Sequence, residues 1–225
     1  MASPSELKRG VVSDVSATAD DRVVPRWEWR AFERSFVLPP SAAEVERFDA
    51  PVERDETYLL SLLSPHSVKI RDGRLDIKRL ERSEAHGLEL WRPVLRAAFP
   101  VEAGALAAGC DAWGVPGPAG DTPAHSLADL VRNVVVPHRQ LRIVTLTKRR
   151  LPITVAGCRG ERAQITVGGH HWNTVVFEDA DPGRVLAALA ELKLDPAANE
   201  NFPRALKRIL GLPDHASSPA APRAG

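Results

Sequence analysis

The feature that most constrains this chain is the segment at residues 68–80, in which Asp72-Gly73 stands between two arms of alternating polarity. Asp-Gly favours a two-residue type I′ turn, because both central residues of that turn need positive φ. The turn also fixes how the flanking strands pair. We therefore predict a β-hairpin in which Lys69 pairs with Asp76 and the rest of the arms follow in register.

This register divides the hairpin into two faces, because paired antiparallel residues lie on the same side of the sheet. The apolar face contains Val68, Ile70, Leu75 and Ile77, and the charged face contains Lys69, Arg71, Arg74, Asp76 and Lys78. Four cations beside one carboxylate are tolerated on a surface, where water and salt screen them. The hairpin alone leaves two interpretations open: a solvated surface, or a face that binds a polyanion.

Composition limits the class of protein. The chain has 225 residues, of which 44% are hydrophobic and 26% are charged, and this suits one domain with a sizeable core. Its net charge of +1 argues against a general nucleic-acid binder. Cys110 and Cys158 have neither zinc-site nor disulfide spacing, no apolar run approaches the roughly 18–20 residues of a membrane span, and no hydrophobic signal core begins the chain. We expect a reduced, cytoplasmic protein that does not cross a membrane.

Hydrophobic periodicity predicts one domain over residues 23–212, flanked by disordered tails at 1–22 and 213–225 that are poor in large apolar side chains. Besides the hairpin, the predicted strands cover residues 23–32, 56–61, 88–95, 140–150, 160–167 and 174–178. Helices are predicted at 41–48 and 101–113, after Ser126, from Pro182, and from Asn201 to Leu210, with capping residues or an N-terminal proline at most starts.

Several predicted strands carry a face dominated by Arg, Lys and Glu. Glu28 and Arg30 share a face of the first strand, and Lys148 and Arg150 share a face of a later one. If such strands close into a barrel with the charged faces inward, they line a cationic tunnel, and helices cover the apolar faces from outside. The strand at 160–167 has a polar face of Arg162, Gln164 and Thr166 opposite an apolar face of Ala163, Ile165 and Val167.

Five segments occur in a recognisable order. The first strand, Arg26-Trp27-Glu28-Trp29-Arg30, is followed by the basic hairpin, a basic strand at 147–150, an acidic strand at 175–181 and an Asn…Phe-Pro-Arg segment at 199–206. This order resembles that of the CYTH domains, the triphosphate tunnel metalloenzymes, whose first strand carries an ExExK signature. The match looks close to CYTH domains that occur fused to exopolyphosphatase-like domains.

The resemblance implies an α+β, β-rich fold, an antiparallel eight-stranded closed barrel with peripheral helices, which binds triphosphate or polyphosphate in its interior. It also implies a Mg²⁺ or Mn²⁺ cofactor that activates water at the terminal phosphorus. Carried over by position, the phosphate-binding residues are Arg30, Lys69, Arg71, Lys78, Lys148 and Arg150. The implied metal ligands are Glu28 and Glu178, with Asp76 as the candidate third ligand.

Three positions depart from the family pattern. Arg26 stands where the family has its first signature Glu, while Gln164 and Val176 stand where many members have acidic residues. A metal that needs about three carboxylates therefore finds two, or three with Asp76. These departures weaken the case for catalysis and leave anion binding intact.

The sequence therefore supports three functions: a metal-dependent triphosphatase, a non-catalytic polyphosphate-binding or sensing module, and, at lower rank, an adenylyl cyclase-like enzyme. Structural alternatives also remain for the acidic residues. Glu28 and Glu178 are then partners of neighbouring cations, and Asp76 is the cross-strand partner of Lys69. His170-His171 is expected to lie on a solvent-facing turn rather than to bind a metal.

Overall fold

The computed structural model describes residues 24–35, 51–84, 86–118 and 124–214. The strands within these residues are β1 (Arg26–Glu33), β2 (Val52–Ser61), β3 (Ser67–Arg71), β4 (Arg74–Ser83), β5 (Glu89–Ala98), β6 (Val101–Glu102), β7 (Ala124–His125), β8 (Leu141–Val155), β9 (Cys158–Val167) and β10 (His170–Asp179). Eight of these described strands close into an antiparallel barrel in the order β1-β10-β9-β8-β2-β3-β4-β5, and β6 pairs with β7. The predicted fold class is confirmed.

The hairpin formed by β3 and β4 has the predicted register. Lys69 pairs with Asp76, and Arg71 pairs with Arg74. Asp72 and Gly73 have φ values of 52° and 67°, as a type I′ turn requires. The apolar face of the hairpin packs outward, so its charged face points into the barrel except at Arg74 beside the turn, which is exposed.

The other barrel strands differ from prediction mainly at their ends, and the two-residue strands β6 and β7 were not predicted. β2 begins at Val52 rather than residue 56, and β8 extends to Val155 rather than ending at residue 150. Pro93 lies within β5. The residues of β5 that pair with β1 are 89–91, so the missing N–H of Pro93 removes no hydrogen bond between β5 and β1.

The helices are α1 (Ala103–Trp113), α2 (Leu127–Leu130), α3 (Pro182–Glu191) and α4 (Phe202–Ile209), with a short π-helix at Val131–Val135 and a 3₁₀ turn at Pro196–Ala198. Ser126 and Asp129 form a capping box at α2, and the side chain of Asp181 caps α3, which has Pro182 at its first position. The predicted helix at 41–48 and the predicted tails, apart from residues 213 and 214, lie outside the described residues. No helix in the described ranges is long and apolar enough to cross a membrane.

Apolar side chains pack on both sides of the barrel wall. One cluster lies between α3 and the outer faces of β1, β9 and β10, and it includes Trp27 and Trp29. A second lies between α1 and the outer face of the hairpin. A third fills one end of the barrel interior, where Tyr58, Leu146 and Ile165 pack against Phe202 and Leu206 of α4.

The third cluster corrects the expectation that every apolar face points outward. On β9, Ala163, Ile165 and Val167 face the interior, whereas Gln164 faces outward and is exposed. Gln164 therefore does not stand at a position that faces the cavity. The polar face of β9 was expected to point inward, and it points outward instead.

Candidate functional site

The nine residues predicted to bind phosphate or metal all line one cavity inside the barrel, with a volume of ≈ 370 Å³. They come from strands that are distant in sequence, including β1, β3, β4, β8 and β10. Among the described residues, the charged side chains that line this cavity are seven basic and four acidic: Arg30, Lys69, Arg71, Lys78, Lys148, Arg150, Arg159, Glu28, Asp76, Glu161 and Glu178. The cavity is therefore predominantly basic, although the whole chain has a net charge of only +1.

One group of charges is centred on Glu56, which the sequence prediction missed. This carboxylate of β2 is 3% exposed, and its Oε2 lies 3.1 Å from Lys69 Nζ. Its Oε1 lies 3.9 Å from Arg71 Nη1, and Arg71 Nη2 also donates to Asp76 Oδ2 at 3.0 Å. Asp76 thus forms its ion pair with Arg71, while the ammonium group of Lys69 turns to Glu56.

A second group is centred on Glu161, which was also missed. Its Oε1 lies 2.6 Å from Lys148 Nζ, and its Oε2 lies 3.6 Å from Arg150 Nη1. Glu161 is opposite Val176 in the pairing of β9 with β10, so the interior acid of β9 lies three residues before Gln164. The sequence did place Glu161 on the same face of β9 as Ala163, Ile165 and Val167, because residues two apart in a strand lie on one face. Glu161 could therefore have been predicted as interior once that face was known to point inward.

A third group contains Glu28 and Glu178, which are direct cross-strand partners in β1 and β10. Arg30 Nε donates to Glu28 Oε1 at 3.1 Å. Lys78 Nζ lies 4.0 Å from Glu28 Oε2 and 3.8 Å from Glu178 Oε2. The two carboxylates predicted to bind metal therefore share a lysine ammonium group.

Burial and neighbouring charge act in opposite directions on the carboxylates. Burial alone raises the pKa of Glu28, but Arg30, Lys78 and Lys148 outweigh it, so the pKa is lowered. Burial is likewise outweighed at Glu56, where Lys69 contributes most to a pKa of about 2. Lys148 and Arg30 lower the pKa of Glu161 in the same way. All three carboxylates are ionised at neutral pH.

Lys69 shows the opposite balance. Burial, together with the positive charges of Arg71 and Lys148, lowers its pKa to about 8, although Glu56 acts to raise it. Its protonation therefore changes within the range of pH in which the protein can be assayed.

Two guanidinium groups of the cavity have spare donor capacity. Arg71 Nε and Arg150 Nε are buried and have no hydrogen-bond partner. An unsatisfied buried donor costs about 1–3 kcal/mol, and a ligand that supplies acceptor oxygens recovers part of that cost. The fork of donors on a guanidinium matches phosphate oxygens well.

The first residue of α4 forms the floor of the cavity. A narrower extension of ≈ 60 Å³ reaches Phe202 and Pro203. The ring of Phe202 stacks on Tyr58 with 5.0 Å between centroids, and Arg30 Cζ and Lys148 Nζ lie 5.0 and 5.4 Å from the Phe202 centroid. These cation–π contacts help to hold Arg30 and Lys148 in place against the floor of the cavity.

A buried polar network attaches this floor to the barrel wall. Asn201 caps α4 by accepting from the Arg204 N–H at 3.0 Å, and its Nδ2 donates to Glu89 Oε1 at 3.0 Å. Trp91 Nε1 donates to the other oxygen of Glu89 at 3.1 Å. Burial raises the pKa of Glu89, which is 4% exposed.

The acidic side chains of the cavity can supply only part of a metal coordination shell. No group of three or more Asp, Glu, His or Cys side chains in the described part of the chain is arranged to hold a metal ion. Mg²⁺ at phosphate sites commonly binds one or two carboxylates, with water and phosphate oxygens completing the shell. Glu28 and Glu178 fit that mode of binding, in which the phosphate supplies part of the coordination shell.

The remaining candidate features lie outside this cavity. His170 and His171 are exposed, and His171 Nδ1 is hydrogen-bonded to Thr166 Oγ1 at 2.9 Å. A groove of ≈ 220 Å³ on the outer wall is lined partly by Arg149 and Arg162, and Arg150 lines both this groove and the interior cavity. This groove gives an external basic surface with which the interior cavity can be compared.

No protein-family model and no curated protein sequence matches the chain. Among solved structures, the chain is similar to a proposed adenylate cyclase from Bacillus halodurans, with 13% identity and a TM-score of 0.43 over 81% of this chain and 97% of that one. It is also similar to a proposed adenylyl cyclase from Hippeastrum, described as having a dominant triphosphatase activity, with 10% identity and a TM-score of 0.37 over 87% of this chain and 92% of that one. At this level of agreement, a functional assignment has to rest on the residues of the cavity.

Proposed function

We propose that the barrel interior binds inorganic triphosphate, polyphosphate or an organic triphosphate, and that it hydrolyses the terminal phosphoanhydride with Mg²⁺ or Mn²⁺. The observation that carries the proposal is the set of seven basic side chains around one cavity, two of which have buried Nε atoms without a partner. A linear polyanion supplies acceptor oxygens and negative charge to several of these groups at once.

Electrostatics favours the interior over the outer surface as the binding site. Two unit charges about 4 Å apart attract by roughly 4 kcal/mol at an effective dielectric constant of 20, whereas exposed pairs contribute about 0–1 kcal/mol. Lys69 and Lys148 have side-chain exposures of 14% and 8%, so an anion beside them is poorly screened. The interior carboxylates form ion pairs with these cations and so order them before the ligand arrives.

The proposed role of each residue follows from its position in the cavity. Arg71 and Arg150 bind phosphate oxygens near their unpartnered Nε atoms, and Arg30 and Lys148 bind those nearest the floor. Glu28 and Glu178 would hold the metal, which when bound supplies Lewis-acid activation of water and of the phosphoryl group. With tripolyphosphate, water forms the new P–O bond as the terminal P–O–P bond breaks, giving orthophosphate and pyrophosphate.

The proposal is tested by removing cavity cations without removing both partners of a carboxylate. In Arg71→Ala/Arg150→Ala, Glu56 keeps Lys69 and Glu161 keeps Lys148. Asp76 loses its ion pair with Arg71 but stays opposite the positive charge of Lys69, so the fold should persist. We expect at least a hundredfold loss of tripolyphosphate affinity by calorimetry, equivalent to about 2.7 kcal/mol, and a matching loss of phosphate release. The matched control is Arg149→Ala/Arg162→Ala, which removes the same charge from the outer groove.

Wild-type affinity in the cavity variant, or an equal loss in the control, would reject the interior as the binding site. Binding by the wild type without phosphate release in Mg²⁺ or Mn²⁺ would instead support the second candidate, a non-catalytic binding or sensing module. That candidate is favoured by Val176, an apolar residue that lines the cavity two residues before Glu178, where a carboxylate would add a third acidic ligand to Glu28 and Glu178.

A further inference from the structure

Lys78 occupies an unusual place between the two carboxylates of the third charge group. Glu28 and Glu178 project from β1 and β10, whereas Lys78 comes from β4. Its Nζ atom is almost equally distant from the nearest oxygens of the two carboxylates, at 4.0 and 3.8 Å. One ammonium group therefore lies beside both carboxylates and offsets part of their mutual repulsion, while Arg30 pairs with Glu28 alone at 3.1 Å.

The other cations of the cavity are arranged differently. Lys148 and Lys69 lie 2.6 and 3.1 Å from the oxygens of Glu161 and Glu56, and each pairs with one carboxylate rather than lying between two. These are closer contacts than those of Lys78. Lys78 also has a side-chain exposure of 35%, compared with 8% for Lys148 and 14% for Lys69, so its ammonium group has the most freedom to move.

We propose that the Lys78 ammonium group is the built-in cation of the Glu28–Glu178 pair, and that it and a divalent metal ion exclude each other there. The proposal rests on the proposed function in taking this carboxylate pair as the metal site. Mg²⁺ lies about 2.0–2.1 Å from its ligand oxygens, so a metal ion on these carboxylates would lie within a few ångströms of Nζ. The resulting repulsion opposes metal binding until Lys78 moves away.

A bound phosphate chain provides a reason for that movement. Lys78 lines the same cavity as Arg71 and Arg150 and has a flexible four-carbon stem, so its ammonium group can turn from the carboxylates to a phosphate oxygen. The metal then enters together with the phosphate, and the free protein binds it poorly. Lys78 thereby couples metal binding to the presence of substrate.

The test measures a gain of metal binding. A variant that gains metal binding and keeps the thermal transition of the wild type does not owe the gain to misfolding. Mn²⁺ is titrated into the phosphate-free protein, and bound metal is measured by electron paramagnetic resonance. We expect Lys78→Met to bind Mn²⁺ at least about tenfold more tightly than the wild type, because the competing positive charge is gone. Adding Glu178→Gln to Lys78→Met should abolish that gain.

Lys148→Met is the matched control, because it removes a cavity lysine whose ion pair is with Glu161. An equal gain in this control would show a general effect of charge and overturn the proposal. So would a Lys78→Met protein with wild-type affinity for Mn²⁺, or a gain that survives Glu178→Gln. Tripolyphosphate calorimetry without metal judges the proposed function separately, since that measurement does not depend on Lys78 and Mn²⁺ excluding each other.

Discussion

At Lys69, burial lowers the pKa of the ammonium group more than the neighbouring carboxylate of Glu56 raises it. The desolvation cost and the positive charges of Arg71 and Lys148 lower its pKa to about 8, even though Glu56 lies 3.1 Å away. A phosphate oxygen near Nζ favours the charged form, so ligand binding and protonation of Lys69 strengthen each other.

This coupling predicts the pH dependence of phosphate binding. The protonated form binds the anion, so tripolyphosphate affinity should fall as the pH rises through about 8. Calorimetry between pH of about 7 and 10 measures it for the wild type and for Lys69→Arg, whose guanidinium stays charged over this range. The fall should be absent or shifted to higher pH in Lys69→Arg, and an identical fall in both proteins would contradict this role of Lys69.

At the scale of elements, the link between α4 and the barrel wall determines where the floor lies. Asn201 is at once the N-cap of α4 and a hydrogen-bond donor to the buried carboxylate of Glu89. The adjacent Phe202 contacts Tyr58 and supports Arg30 and Lys148. Displacement of the α4 N-terminus would therefore disturb the cations above it.

Exchanging the hydrogen-bond donor and acceptor between Asn201 and Glu89 tests this link. Glu89→Gln and Asn201→Asp each disturb the pairing of donor and acceptor, and each should lower the free energy of unfolding by about 1–3 kcal/mol. In the double variant, the Gln amide can donate to the Asp carboxylate, Trp91 can still donate to Gln, and Asp can still cap α4. Urea denaturation should show that the double variant recovers most of the loss, whereas additive losses would contradict a direct interaction.

The elements also show what the sequence could predict. Local rules sufficed for the hairpin, because Asp72-Gly73 sets the register, and for β1, because Trp27 and Trp29 alternate with Glu28 and Arg30. They failed on β9, because strand alternation separates two faces without showing which one is interior. The apolar residues of β9 face inward because α4 enters that end of the barrel, a long-range contact that hid the role of Glu161.

Glu56 was missed for a related reason. Its strand was predicted as residues 56–61, so Glu56 stood at a strand end, where the structure instead begins β2 at Val52. The added residues place Glu56 inside the barrel beside Lys69. Phosphate-binding candidates were easier to find than their carboxylate partners, because basic residues recur on strands whose parity was read correctly.

At the scale of the whole molecule, closure of the barrel concentrates positive charge that the composition conceals. A net charge of +1 is typical of a chain without polyanion preference, yet the basic side chains outnumber the acidic ones around the interior cavity. The outer wall carries basic residues as well, including Arg149 and Arg162. The central claim is therefore about location: a phosphate chain binds inside the barrel and not on its outer wall.

A crystal structure of the protein soaked in tripolyphosphate without metal tests this claim most directly. We expect phosphate density inside the barrel, with oxygens at roughly 2.7–3.2 Å from the guanidinium groups of Arg71 and Arg150. Density in the outer groove beside Arg149 and Arg162, with the interior ion pairs of Glu56 and Glu161 unchanged, would contradict the claim.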